Sequence, residues 1–185
     1  MKKIVLLGDS IRLYGYGTKV PALLGGDFLV WQPEDNCRFA KYCTRIAFSE
    51  YQNIKDADVI HFNAGLWDVS DETADGQPFT TIDDYEKQMI RLAKYLLSIT
   101  PNVIFATTTP CKPGHECNRN EVIREYNSRI VPIFKNMGIK INDLYSLVEE
   151  NIDSYIRDDD KIHLTEIGID GCAKQVVEHI KNSLK

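Results

Sequence analysis

The sequence predicts an α/β fold, an open and mostly parallel five-stranded sheet with helices on both faces. Two patterns carry that expectation. Short apolar, β-branched runs alternate with longer amphipathic stretches from one end of the chain to the other, as repeated strand-helix-strand units do. Three of the runs are apolar almost throughout, as expected of parallel strands buried on both faces. At 185 residues, 43% of them hydrophobic, the chain suits one domain spanning 1–185 around one substantial core.

The first strand is expected at 3–7, running directly into Gly8-Asp9-Ser10, and the second at 28–31. Phe39, Tyr42, Cys43 and Ile46 recur at helical spacing within 38–51. The third strand, 58–62, is followed by a surface loop at 69–81 rich in Asp, Thr and Gly. A crossover helix at 82–99 then carries Tyr85, Met89, Leu92, Leu96 and Ile99 on one face. The fourth strand (103–107) leads to a helix at 121–137 that contains Pro132, a kink site, and stops at Gly138. The fifth strand is 139–142, and a last helix at 164–184 has Thr165 as its N-cap.

Charge narrows the partners. Lys and Arg number 22 against 27 Asp and Glu, a net charge of −5, the wrong sign for a surface that neutralises phosphates, so nucleic acid is not an expected partner. No apolar run approaches the roughly 20 residues that span a bilayer. Ile4 to Leu7 is too short for a signal peptide, and five cysteines, an odd number, read as reduced thiols of a cytoplasmic protein.

Two segments carry chemistry. Ser10 falls in the turn after the first strand, where a hydroxyl can act as nucleophile and neighbouring amides can hold an oxyanion, although Gly-Asp-Ser alone is also ordinary turn chemistry. Asp160-Lys161-Ile162-His163 precedes the last helix. An imidazole activates a serine hydroxyl best when a carboxylate fixes its tautomer, and a spacing of three lets one short loop supply both groups.

Together, Gly-Asp-Ser after the first strand and Asp-x-x-His before the last helix resemble the end blocks of the SGNH hydrolases, the GDSL-type esterases and lipases. The resemblance runs from Lys3 to the final helix. It implies a flavodoxin-like three-layer α/β/α sandwich with Ser10 as nucleophile, His163 as base and Asp160 as orienting acid. The family's third block, Gly-x-Asn-Asp, corresponds to Gly65-Leu66-Trp67-Asp68, where Trp67 replaces the oxyanion asparagine and Asn63 is the nearest carboxamide. The second block, normally a glycine, corresponds to Asn36-Cys37-Arg38. The expected oxyanion donors are therefore Ser10, Cys37 and Asn63, with the Arg38 N–H as an alternative to that of Cys37 and Asn36 as a second carboxamide candidate.

Asp9, Arg38 and Trp67 are the expected substrate contacts, with Arg12, Tyr14 and Tyr16 nearby. Short loops leave little material for a lid. The resulting expectation is a serine esterase acting on small acyl esters, acetyl on a carbohydrate by analogy, with neither metal nor cofactor. Two other readings stay open: an SGNH-fold binding module with weak or no catalysis, and a phospho-switch using Asp9. Cys111 and Cys117, in a loop that also holds His115, read as two free thiols in preference to a metal site or disulfide. His61 reads as a core histidine, and His179 as a surface one.

Overall fold

A computed structural model describes residues 1–185. Five strands, β1 (Lys2–Leu7), β2 (Phe28–Trp31), β3 (Val59–Phe62), β4 (Val103–Ala106) and β5 (Lys140–Asn142), form one sheet in the order β2-β1-β3-β4-β5. Every pairing is parallel, so the sheet is wholly rather than mostly parallel. The expected strand ends shift by one residue at most.

The helices are α1 (Val20–Leu24), α2 (Ala40–Ser49), α3 (Tyr51–Ile54), α4 (Ile82–Leu97), α5 (Asn120–Asn136), α6 (Leu144–Glu150), α7 (Ile152–Tyr155) and α8 (Glu166–Ser183). One layer packs α2 against α4 and α4 against α5. On the other face α8 gathers α1, α6 and α7 and lies along β3 and β5. The stretch expected as one helix over 38–51 is two, α2 and α3. Helix α5 continues through Pro132 as one element. The short helices α1, α6 and α7 carry too few turns to show a periodic apolar face and were not expected from the sequence.

The core follows from the pattern. Every residue of β3 and β4 is buried, as are Ile4 to Leu7 of β1. The edge strands β2 and β5 are only partly so. Phe62 and Phe105 from adjacent strands meet Phe134 of α5, with ring centroids 5.0–5.9 Å apart. No helix is long and apolar enough to cross a membrane.

This strand order reverses direction between β1 and β3, and in open α/β sheets ligand sites form there, beyond the carboxyl ends of the strands. Ser10 follows β1 and Asn63 follows β3.

Candidate active site

Ser10 sits between β1 and a single π-helical turn, Ile11–Gly15. Asp9 holds the turn from within: its Oδ1 accepts the Ile11 N–H at 3.0 Å and its carbonyl accepts those of Arg12 and Leu13. Asp9 is fully buried, which corrects its expected role as a substrate contact and removes it as an accessible phosphate acceptor. Its carboxylate faces inward, where Oδ1 takes the Ile11 N–H and Oδ2 has no hydrogen-bond partner. Burial pushes its carboxyl up, against the opposing pull of Asn63, the Ile11 N–H, the Arg12 guanidinium and His163. A Cβ at Gly8 would overlap the Asn63 side chain, so only glycine lets this turn approach β3 so closely.

The last loop brings its groups to Ser10 across 153 residues. His163 Nε2 lies 2.9 Å from Ser10 Oγ, and His163 Nδ1 lies 3.0 Å from Asp160 Oδ2. The other carboxylate oxygen of Asp160 accepts the N–H groups of Ile162 and His163 at 3.0 and 2.9 Å. Partial burial works against the Asp160 charge, but these N–H groups and the imidazole outweigh it and hold its carboxyl below the usual range. The loop is pinned at three points: Arg157 N–H donates to the His163 carbonyl, Thr165 N–H to that of Tyr155, and Lys112 N–H to that of Lys161. With Nδ1 donating to Asp160, Nε2 is left to accept the serine proton.

The groups expected as oxyanion donors are not all free to donate. The Cys37 N–H donates to the Gly8 carbonyl at 3.1 Å and the Arg38 N–H to Asn36 Oδ1 at 2.8 Å, so neither is free. Cys37 is thereby corrected from oxyanion donor to a tie between the β2 loop and the nucleophile turn. The backbone N–H groups of Ser10 and Asn36 have no acceptor within the chain. Asn63 is nearly buried, and its Oδ1 accepts from the Tyr16 hydroxyl at 2.7 Å. With its oxygen so held, the carboxamide turns its NH₂ end toward the Asp9 carboxylate, whose pKa it lowers, and an NH₂ group has a second N–H to donate elsewhere.

Arg12 fixes the same frame. Fully buried, its guanidinium donates to the carbonyls of Pro33 (2.8 Å), Gly8 (3.0 Å) and Asp35 (2.8 Å). It clamps the β2 loop to the turn and does not meet substrate. Arg38 is a second correction among the substrate contacts: its guanidinium carbon lies 4.9 Å from the centre of the Tyr42 ring, drawn aside by that face and by Asp35. His61 is a core histidine as expected, with burial lowering its pKa to about 3 and Nε2 beside the Asn142 amide at 3.1 Å.

Two cavities meet at the Ser10–His163 pair and share Tyr14. One of about 210 Å³ adds Ile11, Gly15, Arg157 and Leu164. The other, about 360 Å³, is walled by Asn36, Leu66, Trp67, Glu72, His115 and Asn118 among others. Trp67 thus borders the cavity that contains Ser10 and His163. The second wall comes from the connections at 63–81 and 107–119, which are long, contrary to the expectation of short loops. They are joined by bonds from Asn118 Nδ2 to the Leu66 carbonyl and from the Asp71 N–H to the Cys117 carbonyl.

His115 in this wall was not singled out from the sequence as a site residue. Its only signal there is its place between Cys111 and Cys117, a loop that reads as two free thiols and so assigns the imidazole no role. In the structure both cysteines are free thiols.

No protein-family model matches the chain, and no curated sequence is significantly similar to it. Solved structures are. A lipase/acylhydrolase from Enterococcus faecalis is 20% identical, with a TM-score of 0.79 over 98% of this chain and 96% of that one. A GDSL-like lipase from Bacteroides thetaiotaomicron is 19% identical, with a TM-score of 0.74 over 98% and 89%. A catalytic mutant of an acetylxylan esterase from Geobacillus stearothermophilus is 15% identical, with a TM-score of 0.82 over 97% and 94%. Matched along nearly its whole length to each, this chain has the flavodoxin-like α/β/α fold of the SGNH, or GDSL-type, lipases and esterases.

Proposed function

We propose that the protein is a serine esterase that hydrolyses small acyl esters through Ser10, His163 and Asp160. The observation that carries this reading is the pair of contacts on one imidazole, 2.9 Å from the Ser10 hydroxyl and 3.0 Å from the Asp160 carboxylate. A serine hydroxyl does not attack an ester until a base takes its proton, and this geometry supports that transfer.

In the first step His163 Nε2 accepts the proton of Ser10 Oγ as the oxygen bonds to the ester carbonyl carbon. The negative charge moves to the carbonyl oxygen, where the N–H groups of Ser10 and Asn36 and the Asn63 NH₂ receive it. These donors are held in place beforehand by the Arg12 clamp and the Tyr16 bond, so little reorganisation accompanies charge development. Asp160 stabilises the imidazolium, which then gives its proton to the departing alcohol. Water attacks the acyl-serine with His163 again as base, releasing the acid and restoring the hydroxyl. Each group needed is supplied by the chain.

The small cavity beside Ile11 and Leu164 suits a short acyl group such as acetyl, and the wider one suits the alcohol. The fold similarity to an acetylxylan esterase makes acetylated carbohydrate the first substrate class to assay. Turnover of p-nitrophenyl acetate and of acetylated sugars, abolished by Ser10→Ala, is the expected result. A broad ester panel with no turnover above the Ser10→Ala background would instead favour a binding module on this fold.

A further inference from the structure

His115 is held as a built feature of the wider cavity. Its Nδ1 faces two backbone donors, the N–H groups of Cys117 and Asn118, at 3.2 and 3.0 Å. An imidazole nitrogen that accepts two N–H bonds carries no proton of its own, so the ring proton resides on Nε2. Nε2 has no partner within the chain, while the ring borders the cavity that also contains Ser10 and His163.

The loop that carries this ring is closed at both ends. Asn120 donates to the Cys111 carbonyl and accepts the Cys111 N–H, at 2.8 and 2.9 Å, and the Cys111 thiol donates to the Asn118 carbonyl. The loop is also tied to the segment bearing His163. Lys112 N–H donates to the Lys161 carbonyl, and Lys161 Nζ to that of Gly114 at 3.0 Å. The two imidazoles are thereby fixed with respect to one another. Burial disfavours the charged form of His115, lowering its pKa against the pull of Asp160 and Glu116, and His163 and Lys161 act in the same direction as burial.

We propose that His115 is a substrate-reading residue whose Nε2–H donates to an oxygen on the alcohol portion of the ester, selecting alcohols that carry such an oxygen near the scissile bond over plain aryl or alkyl alcohols. This rests on the esterase reading above. Trp67 and the Glu72 carboxylate border the same cavity, giving a hydroxylated alcohol an apolar face to stack on and an acceptor for its own O–H. His115 is half-buried, so a bound alcohol takes the place of water at Nε2–H, and an alcohol without an oxygen there covers the donor and leaves it unpaired.

The test separates the two edges of the ring. In His115→Asn the shorter side chain retains an oxygen able to accept the Cys117 and Asn118 N–H bonds but has no donor at the Nε2 position. In His115→Gln a donor is restored near Nε2. The expected result is that His115→Asn, at unchanged thermal midpoint, lowers kcat/KM on a mono-acetylated methyl xyloside about tenfold more than on p-nitrophenyl acetate, mainly through KM, with partial recovery in His115→Gln. Equal losses on the two esters, or a loss confined to kcat, would overturn the proposal.

A second measurement keeps it distinct from the esterase reading. In ¹⁵N-histidine-labelled Ser10→Ala protein, which cannot turn over, methyl xyloside is expected to shift the His115 Nε2 resonance and to leave Nδ1 in its unprotonated range. No shift at millimolar sugar overturns the role of His115, whereas a shift in a protein whose wild type hydrolyses no ester removes the esterase reading alone.

Discussion

The hydroxyl of Tyr16 donates to Asn63 Oδ1 at 2.7 Å, and both side chains are buried. In the proposed mechanism that bond decides which end of the carboxamide meets the oxyanion. If the amide were free to rotate, its oxygen would spend part of the time beside the developing oxyanion and repel it. Tyr16 also stacks edge-on against His61, with centroids 5.4 Å apart, so its ring is fixed before its hydroxyl acts. Tyr16→Phe is therefore expected to lower kcat by about 10- to 100-fold with little change in KM. Asn63→Ala, which deletes a donor outright, is expected to lower it by about 10²–10³. Steady-state kinetics on p-nitrophenyl acetate, with circular dichroism to check folding, reads both.

In the proposed mechanism Asp160 acts through His163, which it contacts at 3.0 Å. Asp160→Asn would offer the imidazole an NH₂ group or a weaker acceptor and favour the tautomer with its proton on Nε2, facing Ser10. The expected loss is about 10²–10⁴ in kcat with KM nearly constant. The structure should survive, since an Asn oxygen can still accept the Ile162 and His163 N–H bonds. A variant that keeps more than half of wild-type kcat would show that the carboxylate does not orient the base.

Asp68 gives the protein a pH-dependent stability. It caps α2 from outside, its Oδ2 accepting the Ala40 N–H at 2.9 Å, while Oδ1 is buried without a partner. Burial raises its pKa to about 7, outweighing the Ala40 bond. The folded state thus holds this proton more tightly than the unfolded chain, whose aspartates titrate near 4. Between about pH 4 and pH 7 the folded form binds more protons, so this group's contribution to stability falls as pH rises through that window. Asp68→Asn keeps an oxygen for Ala40 and removes the charge. Denaturant melts are expected to show the variant gaining on wild type by about 1 kcal/mol or more at pH 7.5, with the advantage shrinking towards pH 5. An advantage that does not change with pH would contradict the assignment.

What could be read from the sequence divides along physical lines. The positions of the strands and of the Ser10 turn were legible because they rest on local signals, apolar runs in β1, β3 and β4 and a Gly-Asp-Ser turn abutting the first, whereas the strand order β2-β1-β3-β4-β5 rests on contacts between distant segments. Asp160 and His163 were legible because a spacing of three within one short loop forces them together. Asp9 was misjudged because sequence cannot say which way a carboxylate at a turn faces, and here the Ile11 N–H draws it inward. The choice between Asn36 and Cys37 as a donor depends on which N–H the Gly8 carbonyl takes, a contact between segments far apart in the chain. His115 stayed hidden for the same reason, since its tautomer is set by backbone groups of a loop with no regular structure. The lining from residues 63–81 and 107–119 escaped the expectation of short loops because those segments fold onto each other through bonds such as Asn118 to Leu66.

The central claim is that Ser10 is a nucleophile activated by His163. The most direct measurement is covalent labelling by a fluorophosphonate, followed by intact-mass and peptide analysis, on wild type, Ser10→Ala and His163→Ala. The account predicts one adduct per chain, located on Ser10, absent in Ser10→Ala and slowed at least about 100-fold in His163→Ala. Labelling at another residue, or none in wild-type protein while Ser10 and His163 remain folded in contact, would contradict it.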